Sequence, residues 1–109
     1  MIVEQRPIPH PATDELELAA VLHALSDPVR LRIVAELADG GDRTCGSIAL
    51  PVTKSTCTHH FRVLREAGVI QQRAAGTTRI NTLRRGDLDA RFPGLLDTVL
   101  DAAQRSTGT

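Results

Sequence analysis

The sequence has no tryptophan, no tyrosine and only two phenylalanines, Phe61 and Phe92, in 109 residues. Its core must come from Leu, Val, Ile and Ala. That supply suits packed helices better than a β-sandwich, which draws on aromatic and β-branched residues. Cysteine is almost as scarce. Cys45 and Cys57 are too few for a disulfide framework, and in a small unexported domain they are expected to be reduced. No apolar stretch approaches the ~18 residues of a membrane span. The opening is broken by Pro7, Pro9 and Pro11 and does not resemble a signal peptide. These absences predict a cytoplasmic chain with no membrane partner, folded as one domain with a modest core.

Net charge is absent too, but its distribution is uneven. Residues 1–52 carry 4 basic and 8 acidic side chains. Residues 53–85 carry seven basic ones (Lys54, Arg62, Arg65, Arg73, Arg79, Arg84, Arg85) against Glu66 alone. Acidic residues again outnumber basic ones from Gly86 onward. A basic third between acidic flanks is the electrostatic footprint of a surface that meets a polyanion.

The proline-rich residues 1–12 predict a flexible N-terminal arm, residues 13–105 the folded domain, and 106–109 a C-terminal tail. Thr13 is placed to cap a first helix with Asp14, Glu15 and Glu17 in its opening turn and an apolar stripe at Leu18, Val21, Leu22 and Leu25. Pro28 starts a second helix capped by Asp27 or Ser26, with Val29, Ile33, Val34 and Leu37 inward. Over 45–52, Pro51 limits any helix to a turn or two. Thr53 caps a strong helix over 54–67, which Gly68 ends. Strands are predicted over 69–74 and 78–83 around a Gly76 turn, with the register open because Ile80 and Leu83 do not alternate. A last helix runs from Asp87 to Arg105, with Pro93 giving a start or kink near its middle.

The basic third coincides with the helix over 54–67 and the hairpin. Along that helix Cys57, Phe61 and Leu64 form an inward stripe with His60 beside it. Ser55, Thr58, His59 and Arg62 lie opposite, and Lys54, Ser55 and Thr56 open the helix with hydroxyls and backbone N–H groups aimed at a phosphate. An isolated helix with such a face would be read as merely solvated. The charge bias favours a recognition helix whose side chains reach base edges and phosphates. Arg73, Thr77 and Arg79 make the hairpin a wing that grips backbone or minor groove, although charge also protects edge strands. The fold class is mainly α with a β-hairpin wing, a winged helix-turn-helix of order α-α-α-α-β-β-α. The last helix brings Phe92, Leu95, Leu96, Val99 and Leu100 close together, more than a short domain can cover. With Leu18, Val21 and Leu22 of the first helix they predict an isologous homodimer interface.

The runs Leu25-Ser26-Asp27-Pro28-Val29-Arg30-Leu31-Arg32-Ile33 and His60-Phe61-Arg62-Val63-Leu64-Arg65-Glu66-Ala67-Gly68-Val69-Ile70 resemble the ArsR/SmtB-type bacterial winged-helix regulators in order and spacing. The resemblance runs from about Leu16 to Leu100. It implies a homodimer joined by the first and last helices. It also implies a double-stranded inverted-repeat operator, usually repression, and release on an inducer. Sensing residues do not carry over. Many relatives bind metal through Cys-x-Cys before the recognition helix, where Thr44-Cys45-Gly46-Ser47-Ile48 has one cysteine, at neither motif position. That segment is also about two residues short against the family pattern. Others use Asp and His on the last helix, which here has no His. No metal and no cofactor are expected. No catalytic residues are expected either, since no phosphate loop, metal-ligand pair or acid/base pair around a nucleophile is present. The competing reading is a protein-interaction subunit of a two-component regulator, with a second regulatory protein as partner. It would act by activation or by redox sensing through Cys45, which Arg43 flanks.

Overall fold

The computed structural model describes residues 5–106, and the side chains of 6–105. Residues 1–4 of the expected arm and 107–109 of the expected tail lie outside them. The elements are β1 (Gln5–Pro7), α1 (Leu18–Ala24), α2 (Pro28–Gly40), β2 (Arg43–Thr44), α3 (Lys54–Ala67), β3 (Ile70–Ala75), β4 (Thr78–Leu83), α4 (Arg85–Arg91) and α5 (Leu95–Ser106), with 3-10 turns at Thr13–Glu15 and Cys45–Ser47. Helices α2 and α3 pack on one antiparallel sheet of order β1-β3-β4-β2. Its centre is the expected hairpin, with Ile70 opposite Leu83 and Ala75 opposite Thr78. The two-residue connection has Gly76 at φ 64 in first place, the II′ arrangement whose twist matches that of the strands.

Three local expectations meet a different outcome. The described part of the arm is an edge strand: Arg6 pairs with Ala74, and the Ile8 amide donates to the Gln72 carbonyl at 2.9 Å. Thr13 does not cap a helix that runs on through Leu25. Its turn ends at Glu15, Leu16 is extended, and α1 starts at Leu18. The physical reason is burial: extended backbone drives Leu16 into the core, where it is fully covered. Within 45–52 the helix is, as Pro51 requires, a single turn, the 3-10 turn at Cys45–Ser47, held by Arg43, whose Nη2 donates to the Ser47 carbonyl at 2.6 Å. The last helix is two helices, because Pro93 and Gly94 separate α4 from α5.

Asp27 does cap α2, accepting from the Val29 and Arg30 amides at 2.8 and 3.2 Å. The core of Leu16, Val21, Ile33, Val34, Phe61, Leu64, Val69, Ile70 and Leu96 sits where α2 and α3 meet the sheet, with α1 packed on α3 and α5 on α2. Thr13 Oγ1 donates to Asp87 at 2.6 Å, and Arg84 bonds both Asp87 (3.0 Å) and the Pro11 carbonyl (2.6 Å). The Thr13 hydrogen bond, then Arg84, hold the Asp87 carboxyl below its ordinary value of 3.8. Burial pushes the Asp27 carboxyl up, but the Arg30 and Val29 amides bring it below 3.8 as well. For a lowered folded pKa, the stabilisation is present above the unfolded value and lost as pH falls through the folded one. The melting temperature therefore drops below about pH 4. Asp87→Asn lowers it at neutral pH and makes the acid loss shallower. Parallel acid profiles for parent and variant in melts from neutral to acid pH would exclude this role for Asp87.

Candidate nucleic-acid interface

Helix α3 is built to carry one face inward and one outward. Thr53 caps it through an acceptance from the Thr56 amide at 3.3 Å, and Gly68 closes it at φ 86 in the left-handed region. Cys57, His60, Phe61 and Leu64 are the buried face. Behind it, Arg30 is buried and fully engaged. Its guanidinium donates to the carbonyls of Ala24 (2.7 Å) and His23 (3.2 Å) at the end of α1, and to His60 Nδ1 at 3.2 Å. One side chain thus ties the carbonyls at the end of α1 to α3 and fixes the roll of α3.

Lys54, Ser55, Thr56, Thr58, His59 and Arg62 are all exposed along the opposite side of α3. Thr58 Oγ1 donates to the Lys54 carbonyl at 3.0 Å, which holds the hydroxyl against the helix and leaves its lone pairs outward. Among the described residues, Lys54, Arg62 and Arg79 have no ion pair, whereas Arg43, Arg73, Arg84, Arg85 and Arg105 each have a carboxylate.

The hairpin register divides the two wing arginines. Arg79 lies opposite Ala74, and Arg73 opposite Ile80. Side chains alternate along a strand, so these residues occupy opposite faces of the sheet. Arg79 is exposed on the face toward α3 and lines the same cavity as Lys54, Thr58 and Thr77. Arg73 is on the other face, tied to Asp42 at 2.8 Å and to the Thr82 hydroxyl at 3.4 Å. The register thus separates it from Arg79, with which the sequence grouped it on the wing. Arg6, which the sequence reading passed over, joins the Arg79 face instead. It is exposed and pairs across the sheet with Ala74, itself opposite Arg79. No local signal reveals this, because β1 and β4 are far apart in sequence. Beneath this face Gln72 and Asn81 are buried and bonded at 2.8 Å, and Asn81 Nδ2 donates to the Arg43 carbonyl at 3.1 Å, which fastens the wing to β2.

The residues expected at a dimer interface also separate. Leu18 and Leu22 are 47% and 45% exposed on α1. Phe92, Leu95, Val99 and Leu100 are half-buried against the core. Val21 and Leu96 are 1% and 2% exposed and belong to the core itself. Their assignment to an interface is corrected: each subunit already covers them. Among the described residues no three His, Cys, Asp or Glu side chains gather as metal ligands, and no helix is long and apolar enough to cross a membrane.

Comparison with known proteins gives concordant matches. Residues 25–73 match the helix-turn-helix domain family. The chain is similar to the uncharacterized HTH-type transcriptional regulator YceK of Bacillus subtilis (strain 168), at 33% identity over 90 residues, covering 80% of this chain and 90% of that protein. It is similar to the transcriptional repressor SdpR of the same strain at 40% identity over 58 residues, covering 51% of this chain and 63% of that protein. A crystal structure described as a possible transcriptional regulator for arsenical resistance matches with a TM-score of 0.58 at 28% identity, over 85% of this chain and 99% of the other.

Proposed function

We propose, for a chain that belongs to the ArsR-type helix-turn-helix transcriptional regulators, that it represses transcription as a cytoplasmic homodimer seated on an inverted-repeat operator and released by a signal. It is a DNA-binding transcriptional regulator and not an enzyme. The observation that carries the finer reading is the exposed outer face of α3, whose Lys54 and Arg62 lack ion pairs among the described residues, beside the equally unpaired Arg79 of the wing. Unpaired cations on a rigid helix and hairpin suit phosphates and base edges. They do not suit the drier, charge-poor centre of a protein interface. The similarity to a named repressor supports the sign of regulation. The exposed Leu18 and Leu22 support pairing through α1.

Mobility shifts on DNA upstream of the chain's own gene test this. Thr58→Ala, His59→Ala and Arg62→Ala lose operator discrimination, by about 1–3 kcal/mol where a good base contact is removed. Arg79→Ala weakens operator and random DNA alike and makes the log–log salt slope shallower by about one. Arg73→Ala leaves that slope unchanged, because its guanidinium is held by Asp42 on the other face. All five variants must melt like the parent. If the α3 and Arg79 variants bind with parental affinity and slope, the DNA surface lies elsewhere.

A further inference from the structure

The scarce cysteines meet. Cys45, on the 3-10 turn before α3, and Cys57, one turn into α3, have their sulfurs 2.8 Å apart, and both thiols are free. Their positions in the sequence, with a turn, a proline and a helix start between them, show no periodicity that would bring them together. Both line an open cavity of about 790 Å³ between the 3-10 turn, α3 and the wing, whose walls include the apolar Ile48, Leu50, Val52 and Phe61. Cys45 is half-buried and Cys57 buried, so an oxidant that enters reaches Cys45 first.

We propose that Cys45 and Cys57 form a hydroperoxide-reading site that closes to an intramolecular disulfide and thereby loosens the grip of α3 on DNA. The Cys45 thiolate attacks the terminal oxygen of a hydroperoxide. The O–O bond breaks, the alcohol or water leaves after taking up a proton, and Cys45 becomes a sulfenic acid. Cys57 sulfur then attacks the Cys45 sulfur. Hydroxide departs with the Cys57 proton as water, and the S–S bond forms. Two thiols are oxidised by two electrons and one hydroperoxide is reduced by two. Burial, then the hydrogen bond with Cys45, push the Cys57 thiol up to about 12. Cys57 therefore keeps its proton until the second step, as a resolving thiol does.

Closure draws the sulfurs from 2.8 Å to about 2.05 Å and imposes a fixed dihedral on the bridge. Cys57 lies between Thr56 and Thr58, so the adjustment falls on the turn of α3 that carries Thr58. Lys54, Thr58 and Arg79 line the same cavity, which places the helix and the wing on either side of the bridge. The effect on DNA rests on the operator-binding reading above. The disulfide chemistry does not.

The experiment treats the reduced full-length protein with hydrogen peroxide in one arm and cumene hydroperoxide in the other. Free thiols are then alkylated, followed by intact mass, peptide mapping and operator binding. The expected product has lost two hydrogens, takes no alkyl label, maps to a Cys45–Cys57 peptide pair and reverts with dithiothreitol. Its operator affinity is about tenfold weaker, the loss of one good base contact. The faster arm identifies the oxidant as the small or the organic hydroperoxide. Cys45→Ser and Cys57→Ala bind operator but no longer respond to either. If Cys57→Ala fails to fold, Cys45→Ser, at the half-buried position, decides the point. Thiols that stay alkylatable, bridges only between chains, or a disulfide that leaves operator affinity unchanged would overturn the proposal. If the reduced protein holds no operator, the DNA-binding reading fails, and the mass result still decides the site.

Discussion

Leu96→Asp abolishes the cooperative folding of the chain, whereas Leu22→Asp leaves it folded and converts it to a monomer. Leu96 is 2% exposed within one subunit, part of the core where α5 meets α2 and α4. Truncating a buried leucine costs about 2–5 kcal/mol. An unpaired carboxylate in its place adds several more, or must be neutralised by a raised pKa. Small domains have only about 5–15 kcal/mol in total. Leu22 is 45% exposed on α1, one turn from the equally exposed Leu18. Those two side chains contribute little to the fold of a single subunit and much to a partner that covers them. A charge at the centre of an isologous patch appears twice in the dimer, so the repulsion is doubled. Circular dichroism melts and sedimentation at micromolar concentration separate the cases. A dimeric Leu22→Asp protein would place the interface away from α1. A Leu96→Asp protein that melts like the parent would remove Leu96 from the core. Because winged-helix dimers address two half-sites together, the folded Leu22→Asp monomer also loses operator affinity.

Gly68→Ala lowers the melting temperature by roughly 10–30 °C for a domain of this size. Gly68 ends α3 at φ 86, where a side chain costs about 1–2 kcal/mol. An added Cβ would also stand 2.0 Å from Leu16 Cδ2, 3.1 Å from Pro11 Cγ and 3.3 Å from Arg84 Nη1. Leu16 is fully buried, so yielding means repacking at about 1–3 kcal/mol. Pro11 and Arg84 are joined by a hydrogen bond, so the displacement spreads to the network around Asp87. Gly41→Ala is the control. Gly41 has φ 75 but nothing within 4 Å of its Cβ position, so only the conformational cost applies. Equal melting temperatures for the two variants would show that close packing at Gly68 contributes nothing.

The two faces of α3 were legible because their determinants are local. Thr53, the stripe of Cys57, Phe61 and Leu64, and Gly68 define both ends and both faces of α3 within one short run of the chain. Capping and the 3.6-residue period depend on neighbours along the chain and on nothing farther away. The charge count found the wing for a similar reason, but counting cannot say which face of a strand a residue takes. That required the register, and it moved Arg73 away from Arg79. The helix expected from Thr13 failed where a distant contact outweighed a local one. Thr13 bonds Asp87, and Leu16 is drawn beneath Gly68.

The sequence by itself determined the helical elements of the core, the outward row on α3 and the family to which these runs belong. Each is written in residues a few positions apart, where backbone geometry leaves few choices. Tertiary structure alone decided that Arg6 stands on the Arg79 face, that Arg30 anchors His60, that Cys45 touches Cys57, and that Leu96 is inside while Leu22 is outside. Each of these joins or sorts elements separated by turns. The angle and depth at which such elements meet follow from the packing of the whole core rather than from the period of any one segment.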